Sequence, residues 1–183
     1  MRQVLKSNKK EHEYSKYRKL INLLLIVLLG VIIANLLIKY VVQGAVIIGT
    51  SMWPTYDDSD YVFVDKITWK LDPKYKIDRF DVIVCTSEYN DGELLIKRVI
   101  GLPGERVEVA FDGSIWINDE KVEDTWGYYS RQTNFLALDI TRELGDGEYF
   151  VCGDNRNGSL DSRYDIIGNI KEENIIGKVI NGK

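Results

Sequence analysis

The sequence has a single histidine, and its position removes the commonest base for activating a serine or cysteine. His12 lies on the N-terminal side of a long apolar run, while the candidate nucleophiles lie beyond that run. No group of His, Cys and carboxylate residues has metal-ligand spacing, and no Gly-rich loop resembles a phosphate cradle, so neither a metal nor a cofactor is expected. Cysteine occurs twice, as Cys85 and Cys152, each at the end of a short apolar segment. Buried thiols and a disulfide both remain open for the pair. Proline occurs only at positions 54, 73 and 103, and the chain has no internal repeat or low-complexity segment.

Charge of one sign is scarce where nucleic acid would require it. Residues 1–19 hold seven Lys or Arg against Glu11 and Glu13, residues 20–39 add only Lys39, and the remainder holds 16 basic and 26 acidic residues. That acidic remainder argues against a nucleic-acid surface. The dividing run, "LINLLLIVLLGVIIANLLI" at 20–38, has no charge and only Asn22 and Asn35 as polar interruptions. Its length approaches the ~20 residues a helix needs to cross ~30 Å of hydrocarbon. A buried soluble helix normally keeps a polar stripe. A signal peptide normally has a shorter apolar stretch and a small-residue cleavage site, and no A-x-A follows here. Lys16, Arg18 and Lys19 precede the run, so the positive-inside rule predicts a basic cytoplasmic tail at 1–19, a transmembrane helix at 20–40 and an extracytoplasmic domain at 41–183. This topology puts His12 on the opposite side of the membrane from Ser51.

Beyond the apolar run the pattern is that of short strands. "YVFVDKI" (61–67), "DVIVC" (81–85), "LLIKRVI" (94–100) and "RVEVAF" (106–111) are rich in β-branched or aromatic residues and bounded by turn residues. Asp112-Gly113 between "RVEVAF" and "SIWIND" predicts a tight hairpin. "GEYFVCGDN" and "NIIGKVI" add two strands near the C-terminus, and a short helix is expected within 131–143. The fold class is therefore mainly β, with one N-terminal transmembrane helix.

Ser51, in "GTSMWPT" at 49–55, is the candidate nucleophile that lacks a histidine partner. The remaining candidate base is Lys97, which a strand would align with Leu95 and Val99 on one face. Desolvation among apolar groups disfavours an ammonium and lowers its pKa from ~10.4, which would free the amine to accept a proton. A strand lysine can equally be a solvated residue whose stem covers apolar neighbours. Pattern alone leaves both readings open.

"SMWPT" at 51–55, "IKRVIGLPGE" at 96–105 and "GDNRNGSLDSR" at 153–163 together resemble the ordered boxes of type I signal peptidases, the membrane-bound Ser/Lys proteases of peptidase family S26. The weaker "DSDYVFVDK" at 58–66 and the preceding apolar run extend the resemblance over roughly residues 20–180. One apolar span, a short outer domain and a lysine rather than a histidine before Arg98 resemble the Gram-positive bacterial form.

The resemblance implies a β-rich Ser/Lys protease with Ser51 as nucleophile and Lys97 as general base. It implies an oxyanion held by the Ser51 N–H alone, since Gly49 supplies no hydroxyl. Ser159 would orient the lysine amine, and Asp161 and Arg163 would form a structural ion pair. Asp154, Asn155, Arg156 and Arg98 would support the site. Pro54 and Pro103-Gly104 would fix the backbone near Ser51 and Lys97, while Met52 and Trp53 could reach the membrane interface or pack in the core. Two departures are visible: Ser59-Asp60 replaces the usual Gly-Asp, and Arg79-Phe80-Asp81 replaces Arg-Gly-Asp. "YDIIGNI" after Arg163 is also longer than the usual ending.

The implied partners are exported preproteins, bound extended beside a site strand with small residues at the first and third positions before the cut, and the lipid bilayer. No nucleic acid is expected, and the oligomeric state is not readable. The competing readings are a non-catalytic relative acting in surface pilus assembly, a self-cleaving Ser/Lys protease, and an active enzyme dedicated to few substrates.

Overall fold

The computed structural model of the chain describes residues 2–87, 89, 92–129 and 139–180, and the chain divides into two units, Met1–Val41 and Val42–Lys183. The first unit is one helix, α1 (Arg2–Tyr40). The basic segment is thus helical and continuous with the apolar run, because no proline and no glycine before Gly30 interrupts it. Lys16–Tyr40 is long and apolar enough to cross a membrane, and its side chains are exposed throughout. The polar interruption at Asn35 is satisfied within the helix, where its Nδ2 donates to the Val31 carbonyl at 2.8 Å.

The second unit is built from β1 (Val42–Val46), β2 (Tyr61–Asp65), β3 (Val82–Thr86), β4 (Leu94–Gly101), β5 (Arg106–Val109), β6 (Ile115–Ile117), β7 (Glu120–Val122), β8 (Ile140–Glu143), β9 (Glu148–Cys152), β10 (Ile170–Lys171) and β11 (Ile175–Val179). They form a seven-stranded sheet in the order β1-β2-β11-β3-β4-β9-β10 and a four-stranded sheet in the order β7-β6-β5-β8. The hairpin expected at Asp112-Gly113 joins β5 to β6, with Val107 opposite Ile117 and Gly113 at φ 82°. The short helix expected within 131–143 is corrected where it can be tested. Ile140–Glu143 is β8, pairing with β5 from Val109↔Ile140 to Arg106↔Glu143, and 131–138 lie outside the described residues. Its β-branched Ile140 and Thr141 suit a half-buried strand position better than a helical turn.

Three cores hold the sheets. Ile83, Cys85, Val99, Val151, Ile170 and Ile175 pack on one side of the large sheet. Ile47, Met52, Tyr56, Val62, Val64, Val82 and Val84 form a second core under the 49–56 segment. Ile100, Phe150 and Cys152 of the large sheet meet Val107, Ile115, Ile117 and Leu144 to join the two sheets. Within the large sheet β4 pairs with β3 over Leu94–Arg98 and with β9 over Arg98–Gly101, so among the described residues Leu94–Lys97 pair only with β3. Among the described residues the edge next to Lys97 is therefore open.

Candidate active site

Ser51 sits in a turn anchored by its neighbours. Trp53 N donates to the Thr50 carbonyl at 3.2 Å and Tyr56 N to the Met52 carbonyl at 3.0 Å, while Met52 and Tyr56 are buried in the core beneath. Of the two positions open for Met52, the core is the one occupied; Trp53 stays half-exposed, edge-on to Tyr128 with ring centroids 4.4 Å apart. The Trp53–Pro54 peptide is cis.

Lys97 arrives from β4, where the strand's parity aligns it with Leu95 and Val99 and sets it opposite Ile83. It is 3% exposed, and its Nζ lies 3.0 Å from Ser51 Oγ while donating to the Ile96 carbonyl at 2.9 Å. Burial lowers the Lys97 pKa from its ordinary value, chiefly by withdrawing water from the ammonium. The Asp161 carboxylate opposes that shift, and Arg163 offsets Asp161. Cys85 and Cys152 lie near the lysine, but burial pushes both thiols up to about 12, so they are neutral and free at physiological pH. Neither is a thiolate nucleophile.

The third box closes over this pair. Asn155 N donates to the Ser51 carbonyl at 3.0 Å, and its Nδ2 to the Thr50 carbonyl at 3.1 Å. Asp154 is completely buried, binds Arg98 through both carboxylate oxygens at 2.8 and 2.6 Å, and accepts a hydrogen bond from Thr55 Oγ1 at 2.5 Å. One carboxylate thus ties the segment carrying Ser51 to the strand carrying Lys97. Asp154→Ala should destabilise the fold by about 3–5 kcal/mol, because it leaves a buried guanidinium without its counter-ion. A fall in thermal midpoint no larger than that of an exposed aspartate variant would contradict this.

Asp161 is likewise buried, accepts the Gly153 N–H at 2.9 Å and pairs with Arg163 at 2.8 Å. Gly153 is required by close approach: a Cβ there would lie 2.2 Å from Ser159 Oγ and 2.4 Å from the Ser51 carbonyl oxygen. Ser159 is thus brought beside Ser51. Its Oγ, however, is buried with no hydrogen-bond partner, so the bond to the lysine amine implied by the resemblance is not made in this geometry. Arg156 donates to the Gly153 carbonyl at 3.0 Å and pairs with Asp124. Thr55, Asp124 and the Phe80 carbonyl, which accepts from Arg98 at 2.7 Å, were not anticipated. Nothing in the periodicity of these loop residues marks them, because their contacts are set by tertiary docking.

A groove runs from the Ser51–Lys97 pair between the end of β1 and the open edge of β4. It is lined by Ala45, Ile47, Ile48, Val84, Leu95 and Ile96 among others, so it is largely apolar. The arrangement joins a hydroxyl, a desolvated amine and an adjoining apolar groove. Among the described residues no group of His, Cys, Asp and Glu could hold a metal ion.

Residues 20–181 match the family model described as signal peptidase, peptidase S26. The chain is 34% identical over 168 residues to signal peptidase I U of Bacillus subtilis, covering 88% of this chain and 85% of that one. It is 32% identical over 177 residues to signal peptidase I T of the same organism, covering 93% and 86%. A crystal structure of a signal peptidase I from Enterococcus faecalis V583 is 34% identical, covers 57% of this chain and 97% of its own, and superposes with a TM-score of 0.49.

Proposed function

We propose that this chain, which belongs to the peptidase S26 family of signal peptidases, cleaves its substrates with Ser51 as nucleophile and Lys97 as general base. Its function is that of a type I signal peptidase: it removes signal peptides from preproteins. The single observation that supports the catalytic assignment is the 3.0 Å approach of Lys97 Nζ to Ser51 Oγ at the head of an apolar groove.

A neutral amine has one lone pair and two N–H groups. With one N–H committed to the Ile96 carbonyl, the lone pair is free to take the Ser51 proton. Ser51 Oγ then attacks the scissile carbonyl, and the Ser51 N–H receives the developing oxyanion. The protonated Lys97 returns its proton to the leaving amine, which is the new N-terminus of the mature protein. Water follows, gives its proton to Lys97 and attacks the acyl-enzyme; as the acyl–Oγ bond breaks, Lys97 passes that proton to Ser51 Oγ, releasing the signal peptide and restoring both residues. Ser159 is the acceptor proposed for the second amine N–H, a bond that would form as the substrate closes the site. Asp161–Arg163 and Arg98–Asp154 hold the backbone around it.

The substrate's residues before the cut would lie as an added strand along Leu94–Ile96, whose outer edge is unpaired among the described residues. Small residues at the first and third positions would fit the shallow apolar walls near Ser51. The chain is membrane-anchored by α1, and we assign its N-terminus to the cytoplasmic side of the cell membrane and its catalytic unit to the outer side, from the basic residues preceding the span. Ser51 follows the span closely in sequence, so enzyme and membrane-held signal peptide would share one surface and a raised effective concentration. A non-catalytic assembly role is not favoured, since the serine and the lysine are both present and in contact; self-cleavage is not favoured, since the chain carries an apolar span and matches signal peptidases over most of its length.

The test is cleavage of a preprotein whose signal ends in Ala-x-Ala by the purified full chain in detergent, with the cut mapped by mass spectrometry. A single cut after the final Ala is expected. Cleavage elsewhere, or none in several such preproteins, would overturn the substrate assignment.

A further inference from the structure

The segment Asp124–Tyr128 follows β7, lies outside the three boxes, and touches each of them through alternate residues. Asp124 pairs with the buried Arg156 of the third box. The Trp126 ring lies under the Arg98 guanidinium of the lysine strand, 4.0 Å from centroid to Cζ. Tyr128 meets Trp53 of the nucleophile box edge-on at 4.4 Å. The Tyr128 main chain also bridges the third box, its N–H donating to the Asp154 carbonyl at 2.7 Å and its carbonyl accepting from Arg156 N at 3.0 Å. Gly127 makes the passage possible, because a Cβ there would lie 2.9 Å from Arg156 Cζ.

From this geometry we infer that Asp124–Tyr128 is a strap that sets the register of the Ser51 and Lys97 segments, with Trp126 as its principal positioning residue. The inference rests on the dyad assigned above. Arg98 and Lys97 are consecutive on β4 and point to opposite faces, so a rotation of the Arg98 side swings Lys97 in the other sense. Arg98 is held edgewise by the two oxygens of Asp154 and the Phe80 carbonyl, contacts that lie in the guanidinium plane. In-plane hydrogen bonds leave motion perpendicular to that plane weakly restrained. Trp126 covers that direction, and an arginine stacked on an indole face is attracted by the ring's quadrupole as well as blocked by its bulk. Asp154 carries the restraint on to Thr55, four residues from Ser51. The strap touches neither Ser51 nor Lys97 by any of these contacts, so it acts through Arg98 and Asp154.

A misplacement of about 1 Å at a reacting pair can cost about 100-fold in rate. Trp126 is 36% exposed, so its truncation should leave the fold standing. In detergent-solubilised full chain, Trp126→Ala is expected to lower kcat by about 10- to 100-fold with KM within about threefold of wild type. Trp126→Phe, which keeps a ring face over Arg98, should retain kcat within about threefold. Trp126→Leu, which keeps apolar bulk without the face, should resemble Ala and replaces it as the test if the Ala variant does not fold. Thermal midpoints and the fraction of competent enzyme, titrated with an acylating inhibitor, separate misplacement from unfolding. An unchanged kcat in both the Ala and Leu variants would overturn the proposal. So would a rise in KM alone, which would make the strap a substrate contact, or a loss that matches the fraction unfolded. Wild type that cleaves while Ser51→Ala does not would uphold the dyad whichever way Trp126 falls.

Discussion

Ser51→Ala is expected to reduce kcat/KM for an Ala-x-Ala preprotein by about six orders of magnitude, which in practice is complete loss. The change deletes one oxygen, and that oxygen is the atom 3.0 Å from Lys97 Nζ. The turn that presents it does not depend on the hydroxyl. Met52 and Tyr56 remain buried beneath it, and the Ser51 carbonyl, which alanine retains, still accepts the Asn155 N–H. The fold should therefore persist with an unchanged thermal midpoint, and the variant should still bind preprotein in its groove. Co-purification with uncleaved substrate, together with the absence of product by mass spectrometry, is the signature. Product formation at even a hundredth of the wild-type rate would mean that another nucleophile does the chemistry. The two cysteines could not be that nucleophile, since burial holds both as neutral thiols.

How far this site was legible in the sequence differs by residue. β2, β3, β4, β9 and β11 announced themselves as β-branched or aromatic runs, and their ends moved by only a few residues. β1, with Gln43 and Gly44 at its centre, and the two-residue β10 carry too little apolar pattern to be read; they exist because neighbouring edges offer unpaired backbone. Lys97 illustrates the limit of pattern. Its alternation with Leu95 and Val99 was visible, but whether a strand lysine is solvated or buried depends on what packs over it, here the Ser51 turn and the third box. The resemblance to known boxes, rather than periodicity, singled it out.

The two departures from the family pattern acquire a physical reading. Ser59 and Phe80 stand where glycine is usual, and both adopt left-handed backbone, at φ 72° and 71°. The chain keeps a glycine's conformation without the glycine, at a cost of order 1–3 kcal/mol per residue. At Phe80 the reason is local. That backbone lets its N–H reach the Val99 carbonyl at 2.8 Å while its own carbonyl faces Arg98. Thr55, Asp124 and Trp126 could not have been read at all, because each acts on a residue distant in sequence and none belongs to a periodic element.

Lys97→Met is expected to abolish cleavage to a similar degree without lowering the thermal midpoint at neutral pH, a separation that a structural lysine would not give. Methionine has a similar length and suits the surroundings of Leu95, Val99 and Ile83. What is lost is the lone pair proposed to take the Ser51 proton, together with the contacts to Ser51 Oγ and the Ile96 carbonyl. What is gained is relief from burying an amine. Because the native Lys97 pKa is lowered, the unfolded chain binds more protons than the native one between that pKa and the ordinary ~10.4, so stability rises with pH through this window. The cost of Lys97 is therefore fully present below its native pKa and is gone above ~10.4. The difference in midpoint between Lys97→Met and wild type should accordingly be greatest at acid to neutral pH and shrink as pH rises. Wild-type kcat/KM should follow the same titration, rising with pH to a plateau reached below ~10.4 as the amine loses its proton. A wild-type profile that reaches its plateau only near ~10.4, or a Lys97→Met variant that still cleaves, would remove the lysine from the role of base and leave its contact with Ser51 as packing.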